Sequence, residues 1–294
     1  KMQQQGIGNQ IGAFFRSKGL LSGIVMANVV IWLFMSLFGL VEYLFVLGHG
    51  TASHTWNEWF ALSSEPWWVL THPWTLLTYM FLHDGVFHLL FNMLLLVVAG
   101  DMCCRYMGTK RFGWVYFVSG VGGGLLYLLS YNIFPVFYGH RATLVGASAG
   151  VLGVFMAVAA WMPNQPVTVW PFRRLTIKMK WLAVIFLALD LMSLTGNNSG
   201  GHFAHLGGAL CGFLYVVLMR RYTLAKRAER KNIRASRKRQ RMKATVNQRP
   251  VSDEQYNQHR RQDQQRVDAI LDKISQRGYD SLSKEEKEFL FNYK

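Results

Sequence analysis

Five long stretches without any Asp, Glu, Lys or Arg constrain this chain more than any other feature of its sequence. They are residues 19–41, 85–100, 112–140, 142–172 and 191–219. About 20 apolar residues in a helix are needed to cross the hydrocarbon of a bilayer. The stretches predict an all-α polytopic membrane protein with six transmembrane helices, at about 20–44, 86–104, 112–134, 145–162, 181–195 and 201–219.

Lysine and arginine predict the orientation of these helices. The chain is 51% hydrophobic and yet carries a net charge of +16, because residues 220–294 hold 21 of the 32 Lys and Arg. If the N-terminus is inside, the outer connections are 45–85, 135–144 and 196–200. Arg141 is the only Lys or Arg in these three connections. Since cytoplasmic loops carry the excess of Lys and Arg, both ends are predicted to be cytoplasmic.

This orientation divides the chain into four predicted parts. They are a cytoplasmic N-terminal segment at 1–18, a six-helix domain at 19–219, a polybasic cytoplasmic linker or helix at 220–250, and a small helical tail at 251–294. The first outer connection, 45–85, holds five of the ten tryptophans. Because indole rings favour the headgroup level, short amphipathic helices in the outer interface are expected there.

Polar side chains inside the predicted spans gather at one depth. His88 and Asn92 lie one helical turn apart near the outer end of the second span, and therefore on one face. Ser148 lies at the outer start of the fourth span, and His205 lies near the outer start of the sixth. Polar residues in membrane helices are costly and are functional candidates by default. The topology therefore predicts one polar site in the outer third of the membrane.

These residue types suit nucleophilic catalysis. A serine becomes a nucleophile when a base takes its proton and hydrogen-bond donors hold the oxyanion. Ser148 is the candidate nucleophile, His205 the candidate base, and His88, Asn92 and the Ser148 backbone N–H the candidate oxyanion donors. Glycine and alanine let membrane helices approach closely. The supporting small residues are Gly146, Gly150, Gly208 and Gly212.

Together, these motifs resemble those of the rhomboid intramembrane serine proteases. The matching strings are Gly146-Ala147-Ser148-Ala149-Gly150, His83-x4-His88-x3-Asn92 and His205-Leu206-Gly207-Gly208-x3-Gly212. The resemblance covers about residues 19–219. It implies a six-helix bundle with a water-filled cavity open to the outside, and no cofactor. One departure is Trp74-Thr75, where the family often has Trp-Arg.

The resemblance also implies a mechanism and a class of substrate. Ser148 and His205 would form a dyad without a carboxylate, and His88 and Asn92 would hold the oxyanion. His83 would help to order the first outer loop. The substrates would be single-span membrane proteins, cleaved near their outer end after passing the fifth span. The expected location is a bacterial cytoplasmic membrane, and the oligomeric state is left open.

Other interpretations of the same residues fit less well. The Gly-x-Ser-x-Gly string also marks the nucleophile elbow of soluble hydrolases, which needs a strand–turn–helix setting. The surroundings of Ser148 are instead charge-free for over twenty residues and rich in Gly and Ala. His202-x-x-His205 could bind a metal, but no intramembrane Glu accompanies it, so no metal is expected. Asp190 is expected to face the aqueous cavity or to snorkel. A non-catalytic membrane scaffold that binds transmembrane segments is the alternative function.

The tail has its own charge pattern. Residues 220–243, called here the polybasic segment, contain 12 Lys and Arg and one acidic residue. This pattern predicts binding to anionic lipid headgroups and not to nucleic acid, because no aromatic interleaving accompanies the charge. Residues 249–265 are expected to be a linker or a solvated helix. A helical hairpin is expected at 266–293, with Ser283 and Glu286 as a capping box.

Overall fold

Membrane-length helices dominate the first half of the computed structural model, which describes residues 19–45, 51–168, 176–196, 198–247 and 252–293. The predicted segment 1–18 lies outside these residues. The helices of the membrane domain are α1 (Leu20–Phe45), α2 (Thr51–Phe60), α3 (Pro66–Thr71), α4 (Thr75–Thr78), α5 (Val86–Tyr106), α6 (Thr109–Ile133), α7 (Ser148–Trp161), α8 (Met179–Met192) and α9 (Ser199–Asn247). Four short strands are also present: β1 (Leu62–Ser63), β2 (Thr143–Leu144), β3 (Pro166–Thr168) and β4 (Thr176–Lys178).

A helix is found at each of the six predicted positions. Among the described residues, α1, α5, α6 and the first part of α9 are long and apolar enough to cross a membrane. Helices α7 and α8 have only 14 residues each, where the sequence predicts spans at 145–162 and 181–195. At 1.5 Å per residue they are about 21 Å long, which is shorter than the hydrocarbon core of about 30 Å.

Helix α7 lies at the centre of the bundle. Its residues from Ala149 to Ala159 are all buried, and it packs against α5, α6 and α8. A helix that is apolar on all sides is stable only when other elements surround it. In contrast, α1 exposes large side chains such as Phe34, Leu37 and Phe45. This contrast places α1 at the periphery of the bundle and Ser148 at one end of its core helix.

The first outer loop folds into short helices, as its sequence predicts. Thr78 Oγ1 donates to the Phe60 carbonyl oxygen at 2.7 Å, and Trp74 Nε1 donates to the Trp59 carbonyl oxygen at 2.9 Å. Thr75, at the position where the family often has Arg, is buried and donates to the His72 carbonyl oxygen at 2.7 Å. The loop is therefore held by its own hydrogen bonds without that Arg.

The second unit of the chain begins at Leu224, whereas the first ends at Thr223. The predicted boundary at residue 220 does not interrupt the helix, because α9 continues to Asn247. From residue 213 to the proline at position 250 the sequence has no glycine or proline, and these are the residues that most oppose a helix. The polybasic segment is thus the continuation of the last apolar helix.

The tail forms the predicted hairpin from α10 (Asp253–Arg277) and α11 (Lys284–Asn292). Residues 253–265, expected to be a linker or a solvated helix, are helical and exposed. The predicted capping box is confirmed, since Ser283 and Glu286 each bond the other's backbone N–H. Val267 and Ile270 are buried, and Lys273 Nζ lies 3.0 Å from Glu286 Oε2. These contacts give the hairpin a small core of its own.

Candidate active site

Ser148 is the first residue of the buried helix α7. The N–H groups in the first turn of a helix have no acceptor within the helix, and the helix dipole is positive there. Gly146, two residues earlier, has φ +127°, a conformation that glycine adopts without strain. A methyl group on Gly146 would lie 2.9 Å from His88 Cε1 and 3.6 Å from Ser148 Oγ. The missing side chain therefore leaves room for His88 next to Ser148.

Residues 143–146, which lead to Ser148, are held by backbone contacts to residues 62–79. Strand β2 pairs with β1 of the first outer loop, with Leu144 opposite Leu62. The Gly146 N–H donates to the Tyr79 carbonyl oxygen at 2.9 Å. The Tyr79 hydroxyl in turn donates to the Gly120 carbonyl oxygen of α6 at 2.7 Å. The first outer loop thus fixes the position of the nucleophile candidate.

Helices α7 and α9 cross closely beside Ser148. A methyl group on Gly208 would lie 2.7 Å from the carbonyl carbon of Ala149, and closer still to its oxygen. One turn later, a methyl group on Gly212 would lie 2.6 Å from the carbonyl carbon of Gly153. On the far side of α7, Gly150 leaves room for Tyr116, whose carbonyl oxygen would lie 3.0 Å from such a methyl group. Backbone contact at this crossing holds α9, which carries His205, against α7, which carries Ser148.

His205 and His202, both on α9, contact the carboxylate of Asp190. His205 Nδ1 lies 2.8 Å from Asp190 Oδ1, and His202 Nδ1 lies 2.7 Å from the same oxygen. Asp190 is buried near the end of α8. Of the two expectations for Asp190, snorkelling is wrong, because its carboxylate is buried against two histidines, whereas its position at the cavity agrees with the structure. The implied absence of a carboxylate beside the dyad is also wrong, because the turn after α8 brings Asp190 against His205. These three residues are called the Asp190 cluster.

His88 and Asn92 lie on one face of α5, as their spacing predicts. Asn92 is buried, and its Nδ2 donates to the His88 carbonyl oxygen at 2.9 Å. His83, in the loop before α5, packs edge to face on His88 with ring centroids 5.0 Å apart. Burial, and then the neighbouring His88, lower the pKa of His83 to about 4. His83 is therefore neutral at physiological pH and packs as an uncharged ring.

A single cavity joins the predicted site residues. Its volume is about 310 Å³, and it is bounded by α5, α7, α8 and α9. The lining residues are His88, Phe91, Asn92, Leu95, Ser148, Val151, Leu152, Phe186, Leu189, Asp190 and His205. We call it the Ser148 cavity. Four polar candidates from three separate predicted spans, Ser148, His205, His88 and Asn92, thus line one space.

Sequence reasoning did not assign the carboxylate of this site. Asp190 is 15 residues before His205 and belongs to the preceding helix, so no helical spacing links the two. A signal was present in the sequence, namely a lone acidic residue near the outer end of a predicted span. Each member of the Asp190 cluster also offers one possible metal-ligand atom, and these atoms lie within 4.8 Å of one another. Asp190 is the acidic member of this group, where the sequence shows no intramembrane Glu.

Comparisons with known proteins agree with these motifs. The profile of the rhomboid domain family matches residues 70–222. A family of unknown function (DUF6576) matches residues 252–293, the hairpin of α10 and α11. The first match includes α5 to α8 and the apolar part of α9, and hence every residue that lines the Ser148 cavity.

Individual relatives are found among plant proteins. RHOMBOID-like protein 6, mitochondrial, from Arabidopsis thaliana is 31% identical over 152 residues, which are 50% of this chain and 44% of that protein. RHOMBOID-like protein 1 of the same plant is 34% identical over 150 residues, 50% of this chain and 35% of that protein. The chain therefore spans less than half the length of these two relatives.

One relative has a name that bears on catalysis. Inactive RHOMBOID-like protein 8 from Arabidopsis thaliana is 27% identical over 154 residues, 51% of this chain and 38% of that protein. Similarity at this level therefore extends to a protein called inactive. Any activity of this chain must therefore come from the individual residues of the Ser148 cavity.

Proposed function

This chain belongs to the rhomboid family, and from that premise we propose that it is an intramembrane serine endopeptidase. The observation that carries the proposal is the Ser148 cavity, which Ser148 and His205 line together with His88 and Asn92. A serine at a helix N-terminus, a histidine held by a carboxylate and two polar side chains are the parts that acyl transfer needs.

In the proposed reaction, Ser148 Oγ attacks the carbonyl carbon of the scissile peptide bond. His205 Nε2 takes the hydroxyl proton as the bond to Oγ forms. The tetrahedral intermediate then breaks its C–N bond, and His205 gives the proton to the leaving amine. Water attacks the carbonyl carbon of the resulting ester while His205 takes its proton, and the bond from that carbon to Oγ then breaks as Ser148 Oγ takes the proton back. The products are a new carboxyl end, a new amino end and the original enzyme.

The negative oxygen of the tetrahedral intermediate needs hydrogen-bond donors. The proposed donors are the Ser148 backbone N–H, the His88 ring and the Asn92 amide. Asn92 has two N–H bonds, and the one in contact with the His88 carbonyl oxygen leaves the other free to donate. Loss of one such donor typically costs about 3–4 kcal/mol of transition-state stabilisation. Gly146 supports this arrangement by leaving room for His88 beside Ser148.

We propose that six helices cross the membrane, with both chain ends on the cytoplasmic side. Four helices are long and apolar enough. Helix α7 is shorter, but protein surrounds it, so its ends need not reach the lipid headgroups. Helix α8 exposes large apolar side chains such as Trp181 and Ile185, which suits contact with lipid. The Lys and Arg bias of the connections favours this orientation.

The proposed substrates are single-span membrane proteins, cleaved near their outer end. The Ser148 cavity lies at the outer side of the proposed topology, and α8 forms the wall past which a substrate helix would arrive. The polybasic segment is proposed to bind anionic lipids on the cytoplasmic side. Its described side chains are exposed, as contact with headgroups requires. No role in binding nucleic acid is proposed.

The protein is proposed to work as an integral membrane protein. Family membership and the four apolar helices support that statement. The expected bacterial cytoplasmic membrane has no such support, because the relatives named above are from Arabidopsis thaliana and one of them is called mitochondrial. We therefore propose no particular organism or organelle.

Cleavage of a model single-span substrate in lipid vesicles tests the proposal. The full-length chain is compared with Ser148→Ala and His205→Ala, and with His140→Ala as a matched control on the exposed outer surface. The first two variants are expected to lose cleavage, whereas the control keeps it. Cleavage by Ser148→Ala at the rate of the unchanged chain would show that Ser148 is not the nucleophile.

A non-catalytic scaffold is the second candidate, and the relative that is called inactive favours it. A fluorophosphonate probe separates the two functions, because it reacts only with an activated serine. An endopeptidase is expected to be labelled at Ser148, and the labelling should disappear in His205→Ala. A scaffold that only binds transmembrane segments would remain unlabelled.

A further inference from the structure

One carboxylate oxygen joins the two histidines of α9 to the helix before them. Asp190 Oδ1 lies 2.8 Å from His205 Nδ1 and 2.7 Å from His202 Nδ1. Both distances are those of charge-assisted N–H···O hydrogen bonds. Six positions, 193–198, separate the end of α8 at Met192 from the start of α9 at Ser199, and Ser193–Thr195 among them form a short 3-10 helix. The contact is therefore made by tertiary packing and not by spacing along one helix.

An ionised carboxylate can only accept hydrogen bonds. Each Nδ1 that faces Asp190 Oδ1 must therefore carry the proton. In a neutral imidazole the other nitrogen is then unprotonated and has a free lone pair. For His205 this nitrogen is Nε2, the atom that the proposed reaction uses to take the proton of Ser148 Oγ. The bond to Asp190 thus selects the one neutral tautomer of His205 that can act as a base.

The surroundings of Asp190 keep this bond in place. Asp190 is 8% exposed, and a carboxylate with little access to water is stable only when hydrogen-bonded donors surround it. His202 supplies the second donor from the same face of α9 as His205, three residues earlier. The two bonds hold Asp190 Oδ1 between two rings whose centroids are 5.6 Å apart. Rotation of His205 away from Ser148 would break one of them.

We propose that Asp190 is a positioning residue for His205. It fixes the ring orientation and the tautomer of His205, and it stabilises the imidazolium that forms when Ser148 loses its proton. The catalytic consequence rests on the proposed function, whereas the tautomer can be tested without it. In a serine protease with a triad, replacement of the carboxylate by its amide lowers kcat by about 10⁴-fold. A loss of about 10²–10⁴-fold is expected here.

The test compares Asp190→Asn with Asp101→Asn in the full-length chain. Asn has nearly the same shape as Asp, but its amide N–H can donate to His205 Nδ1 and favour the wrong tautomer. Asp101 is the matched control, because it is an ion-paired carboxylate on α5 with Arg105 as its partner. In Asp190→Asn, kcat is expected to fall by about 10²–10⁴-fold with little change in KM. Asp101→Asn is expected to cleave like the unchanged chain.

NMR of isotopically labelled histidine rings gives a readout that a merely structural role would not move. The unchanged chain is expected to show His205 protonated at Nδ1. In Asp190→Asn this state should be lost, while the thermal unfolding midpoint should stay close to that of the unchanged chain. His205→Ala assigns the signal. Asp190→Glu, which keeps the charge, is expected to recover part of the lost rate.

Two results would overturn the proposal. The first is an Asp190→Asn variant that keeps the kcat of the unchanged chain. The second is a His205 ring whose proton stays on Nδ1 without the carboxylate. If the unchanged chain shows the Nδ1 proton but cleaves nothing, the proposed function has failed and the tautomer assignment has not. If the unchanged chain cleaves the substrate but His205 does not carry its proton on Nδ1, only the proposed role of Asp190 has failed.

Discussion

The close crossing of α7 and α9 gives the sharpest structural prediction, which is the effect of Gly208→Ala. The new methyl group would lie 2.7 Å from the carbonyl carbon of Ala149, whereas ordinary contact begins at 3.4 Å. The obstacle is backbone on a central helix, so no side chain can turn away. The two helices must therefore separate by about 0.7 Å or more at this point, one residue after Ser148.

This separation should lower the rate of cleavage strongly, whereas the free energy of unfolding should fall only modestly. A misplacement of about 1 Å in a catalytic geometry can cost about 10²-fold in rate. A loss of about 10-fold to 10²-fold in kcat/KM is therefore expected for Gly208→Ala, since Ser148 and His205 lie on opposite sides of the crossing. Overpacking of a well-packed core typically costs about 1–3 kcal/mol, so the thermal unfolding midpoint should fall without loss of the fold.

Two further variants make the experiment decisive. Gly212→Ala meets the backbone of Gly153 in the same way, but one turn further from Ser148, so it should cost similar stability and less activity. Gly23→Ala, in α1, meets nothing within 4 Å, so it should keep the activity and leave stability unchanged or raise it by up to about 1 kcal/mol. The measurements are cleavage of a model substrate and thermal unfolding in one detergent. If Gly208→Ala keeps the activity of the unchanged chain, the crossing does not set the distance between Ser148 and His205.

Three other predictions concern pH, metal and the tail. The pKa of His83 is about 4 in the folded protein, against 6.5 for an ordinary histidine. Between these two pH values the unfolded chain therefore binds a proton that the folded protein does not. The free energy of unfolding should fall as pH falls through this window, by at most about 3 kcal/mol, and pH-dependent thermal unfolding of His83→Gln should lack this part of the decrease. Added Zn²⁺ should slow cleavage and a chelator should restore it, because a metal on the Nδ1 atoms of the Asp190 cluster would leave the proton on Nε2; an unchanged rate would argue against metal access to the cluster. Ser283→Ala removes the cap of α11 and should cost the hairpin about 1 kcal/mol, seen as a lower circular-dichroism melting point of the tail transition, and a transition that does not move would contradict the capping role of Ser283.

Local patterns of the sequence predicted much of the fold and the main site candidates. The second predicted span, 86–104, is found as α5 at Val86–Tyr106, and Ser148 stands at the first residue of its helix as expected. These features were predictable because charge-free length and side-chain periodicity act within one element. His88 and Asn92 share a face for the same reason.

Relations between elements were less predictable. The sequence predicts a domain boundary at residue 220 with a linker or helix after it, and the structure has one continuous helix to Asn247, because charge does not interrupt a helix that lacks glycine and proline. The sequence predicts that Asp190 faces the cavity or snorkels; the residue does line the cavity, but its bond to His205 is not predicted. Its partner depends on how the turn after α8 folds back, and no periodicity contains that information.

The sequence by itself determined that this chain is a helical membrane protein with a serine and histidines near the starts of its apolar helices. Charged side chains are costly in hydrocarbon, so their absence from long stretches of the sequence identifies the membrane helices. A motif is recognised from residues that are close together in the sequence. Tertiary structure alone decided that α7 is the buried centre, that Gly208 lets α9 touch α7, and that Asp190 bonds to His205. Each of these depends on the approach of two helices that are distant in sequence, where packing at the level of single atoms sets the contacts.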